Sequence, residues 1–256
     1  MKNNIIFCSG TASDRFEEAL CMFTTIKDIY PKAKCHFDAI FFTDEQVKYF
    51  EDLGVIVKRF DTKEDLPPLF SETRETRRAI GLKEAEAIGY EANTEWNLMY
   101  ASWRLYMLPR IMKEYDAPIL WLDTDCMVRK NIDEFLNKSL SYDFSANLRN
   151  NLEERRQLLS AVFVVNNTPK GKKCLELMPQ IYLELFEKAI WWADPWTINA
   201  SRIRSGCETW NFNYGKYADN FLKGKSSIWH AKSAGVTKKV WINETNRILK
   251  KYNLQG

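Results

Sequence analysis

The residues best equipped for chemistry are two aspartates one residue apart, in the run Ile119-Leu120-Trp121-Leu122-Asp123-Thr124-Asp125-Cys126-Met127-Val128. They follow an apolar stretch that reads as a buried strand, and side chains two apart on a strand point the same way. A carboxylate pair so placed can face one hard cation, directly or through water, while the cation also takes diphosphate oxygens. In open α/β sheets, ligands bind beyond such strand ends. Asp-x-Asp also serves as a turn or cap, so the preceding strand and the mid-chain position are what favour a site. A histidine on a late apolar strand, His230 in Ile228-Trp229-His230, is either a third ligand or a hydrogen-bonded core residue. The other histidine, His36, reads as structural.

The elements that must position these groups alternate. Ile5 to Cys8 reads as a strand ended by a turn at Ser9-Gly10-Thr11, and Phe16, Leu20, Phe23 and Tyr30 follow at helical spacing. Phe37 to Phe42 is a second strand, Asp44 opens a helix to about Leu53, and Val55-Ile56-Val57 begins a third strand. Alternating strands and helices predict a parallel sheet with covered faces. From Asp61 to Glu95 the composition shifts to Arg, Glu, Lys and Thr, which reads as an insertion with a solvated helix over 74–88 that could order only with ligand. Trp96 to Tyr115 is a long amphipathic helix, and Pro118 to Leu122 the clearest core strand. Ala161 to Val165 is another strand; Thr168-Pro169 caps and starts a helix toward Ala189 that Pro179 should kink. A shorter helix over Asp194 to Ser205, a last strand over Ser226 to His230 and a basic C-terminal tail complete the chain. Trp191, Trp192, Trp196 and Trp210 form an aromatic-rich segment around Asp194 whose faces suit either stacking on the apolar face of a sugar or core packing.

The 256 residues are 45% hydrophobic and 28% charged, which excludes disorder, and the net charge of +3 implies no nucleic-acid partner. No apolar run approaches the ~20 residues that span a bilayer, and the N-terminus lacks a signal-peptide pattern, so no transmembrane segment and a cytoplasmic location are expected. The six cysteines are scattered without a Cys-x-x-Cys pair and read as free thiols.

With its Asp-x-Asp strand, the chain resembles the metal-dependent GT-A glycosyltransferases, most closely the retaining family 8 type of glycogenin and bacterial galactosyltransferases. Trp103-Arg104-Leu105-Tyr106-Met107-Leu108-Pro109 is similar to that family's Arg-Leu…Pro helix, and Leu159 to Asn166 to its Asn-x-Gly-hydrophobic-Asn strand, with Ala161 for Gly. Asp194-Pro195-Trp196-Thr197-Ile198-Asn199 stands where the family has Asp-Gln-Asp-x-x-Asn, and His230 to Gly235 with Lys238 resembles its late His…Gly segment.

The resemblance implies an α/β GT-A fold, Rossmann-like, with a mainly parallel central sheet flanked by helices. It implies one domain, with residues 1–128 as the nucleotide-sugar half and 129–256 as the acceptor half. Asp123, Asp125 and His230 would bind Mn²⁺ or Mg²⁺. Donor contacts would come from Cys8, Ser9 and Gly10 at base and ribose, and from Arg104, Asp123, Thr124, Lys232, Gly235 and Lys238; Arg104 could equally be a solvated helix residue, and the lysines part of the basic tail. Asp194 and Asn199 would act at the reaction centre, although Asp194 could simply cap a helix. The implied activity is transfer from a nucleotide-diphosphate sugar, UDP-sugar favoured, to a glycan, lipid-linked or protein hydroxyl, with retention. A catalytically weak nucleotide-sugar-binding protein is the alternative. An Asp-dependent phosphohydrolase is disfavoured by Met127 and the mid-chain motif, and a P-loop is excluded by Asp219.

Overall fold

The computed structural model describes residues 4–62, 65, 95–186, 193–220, 222, 225–231 and 238–254, with backbone alone for 95–101 and 186. The expected helix over 74–88, Lys232 and Gly235, and Trp191 and Trp192 lie outside the described residues.

Strand β1 (Ile6–Ala12) is buried along its whole length. It lies between β2 (Lys34–Ile40) and β4 (Ile119–Leu122), parallel to both, and β2 pairs in parallel with β3 (Val55–Phe60). Strands β1 and β4 are buried along their whole length, as expected where helices cover both faces of a sheet, whereas the edge strand β3 leaves Ile56, Lys58 and Arg59 exposed. Helix α1 (Phe16–Ile29) buries Leu20, Phe23 and Ile26 among other residues. Helix α2 (Asp44–Asp52) starts at a capping box, in which Gln46 N donates to Thr43 Oγ1 at 3.2 Å and Thr43 N to Gln46 Oε1 at 3.0 Å. Helix α3 (Glu95–Tyr115) leads to β4 and buries Trp103, Met107, Leu108 and Ile111.

After the Asp-x-Asp turn come β5 (Cys126–Val128), α4 (Asp133–Ser139), β6 (Phe144–Leu148), α5 (Glu154–Gln157), β7 (Leu158–Val165) and α6 (Pro169–Phe186). Then follow α7 (Ala193–Arg204), β8 (Thr209–Asn211), α8 (Tyr214–Tyr217), β9 (Ala218–Asp219), β10 (Ile228–His230) and α9 (Lys239–Leu249). The large sheet has the order β3-β2-β1-β4-β7-β6-β8. Only β7 runs against its neighbours, so the sheet is mainly parallel, as expected. A second sheet, β5-β10-β9, sets Cys126 opposite His230 in antiparallel register.

Two expectations are corrected. The turn placed at Ser9-Gly10-Thr11 is strand, because β1 keeps its register with β2 as far as Ala12 against Ile40. The basic tail is a docked helix: α9 buries Trp241, Ile248 and Leu249, and beyond it Tyr252 shares a 2.8 Å hydrogen bond with Thr24 of α1. Its lysines and arginine lie on the other face, which is why composition alone disguised it. Among the described residues, no helix is long and apolar enough to cross a membrane, and the described cysteines are free thiols.

Candidate metal centre and its surroundings

Strand β4 ends at Leu122, and Asp123 to Asp125 form a tight turn closed by Cys126 N donating to Asp123 O at 2.9 Å. The two carboxylates therefore converge through a turn and not through the alternation of a strand. The turn is pinned from both sides. Asp123 N donates to Ala161 O on β7 at 2.9 Å, and Ala231 N, just past β10, donates to Asp125 O at 2.8 Å. That second bond, with the β5–β10 pairing, brings His230 to the pair. One ligand atom from each of Asp123, Asp125 and His230 can be chosen so that all lie within 4.8 Å of one another.

His230 Nε2 lies 3.3 Å from Asp125 Oδ1, and His230 Nδ1 is 3.0 Å from the Tyr214 hydroxyl. Burial alone would push the Asp125 carboxyl up, but His230 and the nearby Arg15 hold it below the usual carboxylate range. The Tyr214 phenol is pushed up, first by burial and then by the negative charge of neighbouring groups such as Asp123 and Asp125, so it stays protonated.

Arg104, on α3, spans the other side. Its Nη1 donates to Asp123 Oδ1 and to Ser160 O, both at 2.8 Å, and its Nη2 lies 2.9 Å from Asp194 Oδ2. Trp121 Nε1 donates to the same Asp123 oxygen at 2.7 Å. Burial works against the guanidinium charge, but Asp123, Asp194 and Asp125 together hold its proton more firmly than usual. Asp194, in the first turn of α7, is buried and faces this arginine. The arrangement can hold a divalent cation against a phosphate group and offers Asp194 for hydrogen bonding nearby.

The chain is similar in structure to the galactosyltransferase LgtC, solved in complex with donor and acceptor sugar analogues. The TM-score is 0.62 at 11% identity, over 98% of this chain and 97% of that one. It is also similar to the glycosyltransferase GlyE of Streptococcus pneumoniae TIGR4, with TM-score 0.58 and 13% identity over 99% of this chain and 63% of that one. For the bifunctional glycosyltransferase WbbM the values are 0.57 and 10%, over 91% of this chain and 46% of that one. The fold is a GT-A glycosyltransferase fold. No protein-family model and no curated protein sequence matches the chain.

Within this GT-A frame the sequence-predicted residues separate. Asp123, Asp125, His230, Arg104 and Asp194 come together, and Thr124 sits at the tip of the turn. Arg104 is not a solvated helix residue but a buried one with two acidic partners. Cys8 and Ser9 are buried inside β1. Gly10 serves packing: a Cβ there would lie 3.0 Å from Met107 Sδ and Trp103 Cδ1 and 3.1 Å from Asp38 Cβ.

Asn199 is fully buried and committed elsewhere. Its Nδ2 donates to Glu154 O at 3.0 Å and Gln157 Oε1 at 3.2 Å, and its Oδ1 accepts from Arg202 Nε at 3.0 Å, so it fastens α7 to α5. Lys238 Nζ donates to Asn220 O at 3.5 Å. The tryptophan group is not one platform: Trp196 packs beside Ile181, Leu185 and Ala200, whereas Trp210 packs among Phe135, Phe212 and Tyr217. Two residues near the site were missed. Tyr214 has no spacing signature, and Arg15 would have been found only by extending β1 to its true end at Ala12.

Proposed function

We propose that this chain is a metal-dependent glycosyltransferase that moves a sugar from a nucleotide-diphosphate sugar, a UDP-sugar by preference, to a glycan, lipid-linked or protein hydroxyl. The observation that carries this is the convergence of Asp123, Asp125 and His230 within 4.8 Å, at the carboxyl end of β4 and beside Arg104 and Asp194. The similarity to LgtC and GlyE supports it.

The donor set fits the metal. Two carboxylates and one imidazole suit Mn²⁺, which accepts oxygen and nitrogen together, and also accommodate Mg²⁺. Asp123, Asp125 and His230 would hold the ion, which when bound neutralises charge on a departing diphosphate. The chain's own residues do the rest. Arg104 keeps Asp123 and Asp194 apart as two anions on one cation, which fixes their directions. Asp194 accepts hydrogen bonds from donor-sugar hydroxyls and faces the positive charge that grows at the anomeric carbon. Tied to a guanidinium, it is set for that task and not for taking the acceptor's proton, which favours retention. Because β1 runs on to Ala12 and is buried throughout, base and ribose contacts fall to the segment that follows it, Ser13 to Arg15, and not to Cys8, Ser9 or Gly10. Thr124, Lys232, Gly235 and Lys238 remain donor contacts in this reading, the first half of the chain serving the donor and the second the acceptor, in a cytoplasmic protein.

The test is a thermal-shift panel of UDP-, GDP-, dTDP- and CMP-sugars with and without Mn²⁺, followed by an assay of nucleoside diphosphate release. A Mn²⁺-dependent shift with one nucleotide class, abolished in Asp125→Ala, together with slow Mn²⁺-dependent release, is expected. A shift without release would identify a binding protein, and no shift with any nucleotide would end the reading.

A further inference from the structure

Of the groups around the ligand cluster, Tyr214 has no assigned task. It stands on α8, a single helical turn between β8 and β9, far in sequence from Asp123 and Asp125. The turn is built to hold still. Asn213 caps it by accepting from Lys216 N at 3.0 Å, and Glu134 on α4 accepts from Lys216 Nζ at 2.7 Å and from the Tyr217 hydroxyl at 2.8 Å. The Tyr217 ring packs against Phe135, with centroids 5.4 Å apart. Held at its other residues, the turn delivers one functional group inward, the Tyr214 hydroxyl, to His230 Nδ1 at 3.0 Å.

An imidazole has two nitrogens and, when neutral, one proton. A cation can use only the nitrogen without the proton, so the partner of the other nitrogen decides whether the ring is a ligand. His230 Nε2 faces Asp125 at 3.3 Å, inside the carboxylate cluster, whereas Nδ1 faces Tyr214. If Nε2 carried the proton it would donate to Asp125 and be lost to the metal. If Nδ1 carries it, the Tyr214 oxygen accepts it and Nε2 presents its lone pair to the cluster.

We propose that Tyr214 is a positioning residue that accepts a hydrogen bond from His230 Nδ1, fixes the ring's direction and tautomer, and so makes Nε2 a metal ligand. The inference rests on the metal reading above and adds to it a residue on an element outside the Asp-x-Asp and His230 strands. A tyrosine is suited to the role because its hydroxyl can accept at 3.0 Å while its ring remains packed. A carboxylate in its place would add a third negative charge to the cluster and draw a full proton onto the ring.

The test is Mn²⁺ titration followed by electron paramagnetic resonance on the wild type, Tyr214→Phe and Asp125→Ala, with urea unfolding of each metal-free protein. Partners of metal-ligating histidines commonly control affinity by ~10–100-fold. Tyr214→Phe is therefore expected to weaken Mn²⁺ by at least about 10-fold while unfolding near the wild-type urea midpoint. Mn²⁺ bound as tightly by Tyr214→Phe as by the wild type would overturn the proposal. A wild type that binds no Mn²⁺, or an Asp125→Ala protein that binds it equally, would instead overturn the metal reading and this proposal with it. A second measurement needs no variant. Nitrogen-15 spectra of the His230 ring in the wild type loaded with diamagnetic Mg²⁺ should place the ring proton on Nδ1, and a proton on Nε2 would refute the assignment.

Discussion

Two histidine–aspartate pairs in this molecule use the same side chains to opposite ends. His36 Nε2 lies 3.0 Å from Asp38 Oδ1, with the side chains 2% and 0% exposed; His230 Nε2 lies 3.3 Å from Asp125 Oδ1, with 9% and 23% exposed. Around the first pair every position is taken. Arg110 Nη2 reaches both Asp38 oxygens at 2.5 and 2.6 Å, Trp103 Nε1 donates to Asp38 Oδ2 at 2.9 Å, and His36 Nδ1 shares a 2.9 Å bond with the Tyr115 hydroxyl. The second pair is bonded to Tyr214 through His230 Nδ1, and its Asp125 side chain keeps part of its surface in contact with solvent. A fully buried, fully bonded pair holds a fold together, whereas a carboxylate that keeps contact with solvent can still take a ligand. Helix α3 supplies both regions, giving Trp103 and Arg110 to the closed cluster and Arg104 to the open one.

The contrast breaks first at Asp38. Asp38→Ala leaves Arg110 and His36 without their buried partner and should cost about 3–5 kcal/mol of stability; a urea-denaturation loss below about 1 kcal/mol would remove the distinction. Asp125→Ala should behave inversely, with Mn²⁺ affinity lowered by more than the ~10–100-fold that outer partners control. Its urea midpoint should stay close to wild type, because the side chain is partly solvated, and a folding defect without a metal defect would contradict the assignment.

Asn199→Ala sharpens the comparison within α7. Losing a buried amide that three groups share should cost about 1–3 kcal/mol, and donor turnover per folded molecule should be unchanged; a specific fall in kcat would restore Asn199 to the reaction centre. Gly10→Ala should have the smallest effect, about 1 kcal/mol from overpacking that Met107 can partly relieve. Thermal unfolding reads that cost, and an unchanged Mn²⁺ affinity would confirm that Gly10 serves packing only.

Legibility followed the strength of local patterns. Ile119 to Leu122 was readable because an unbroken apolar run ending in two carboxylates has few other uses, and His230 because it closes a short apolar run. What pairs across the chain was not readable. No periodicity in α3 says that Arg104 reaches Asp194 some 90 residues later, and a tyrosine hydroxyl such as that of Tyr214 leaves no spacing trace. Gly10 misled because a glycine after a strand suggests a turn, when here the missing side chain makes room for α3. Asn199 misled because an amide near an acid looks functional until its partners are known. Helix α9 did carry a signal, Trp241, Thr245, Ile248 and Tyr252 at helical spacing, which the surrounding lysines obscured.

The pairing of β5 with β10 has a further consequence. Asp125 and His230 lie about a hundred residues apart in the chain, and contacts of such long sequence separation pay their loop-closure entropy before they return any stabilisation. During synthesis the two aspartates emerge long before the histidine, and a chain halted before β10 would carry two of the three cluster residues. Completion of the Asp123, Asp125 and His230 cluster thus reports that β10 has docked, so whatever needs all three side chains belongs to the finished molecule and not to its folding intermediates.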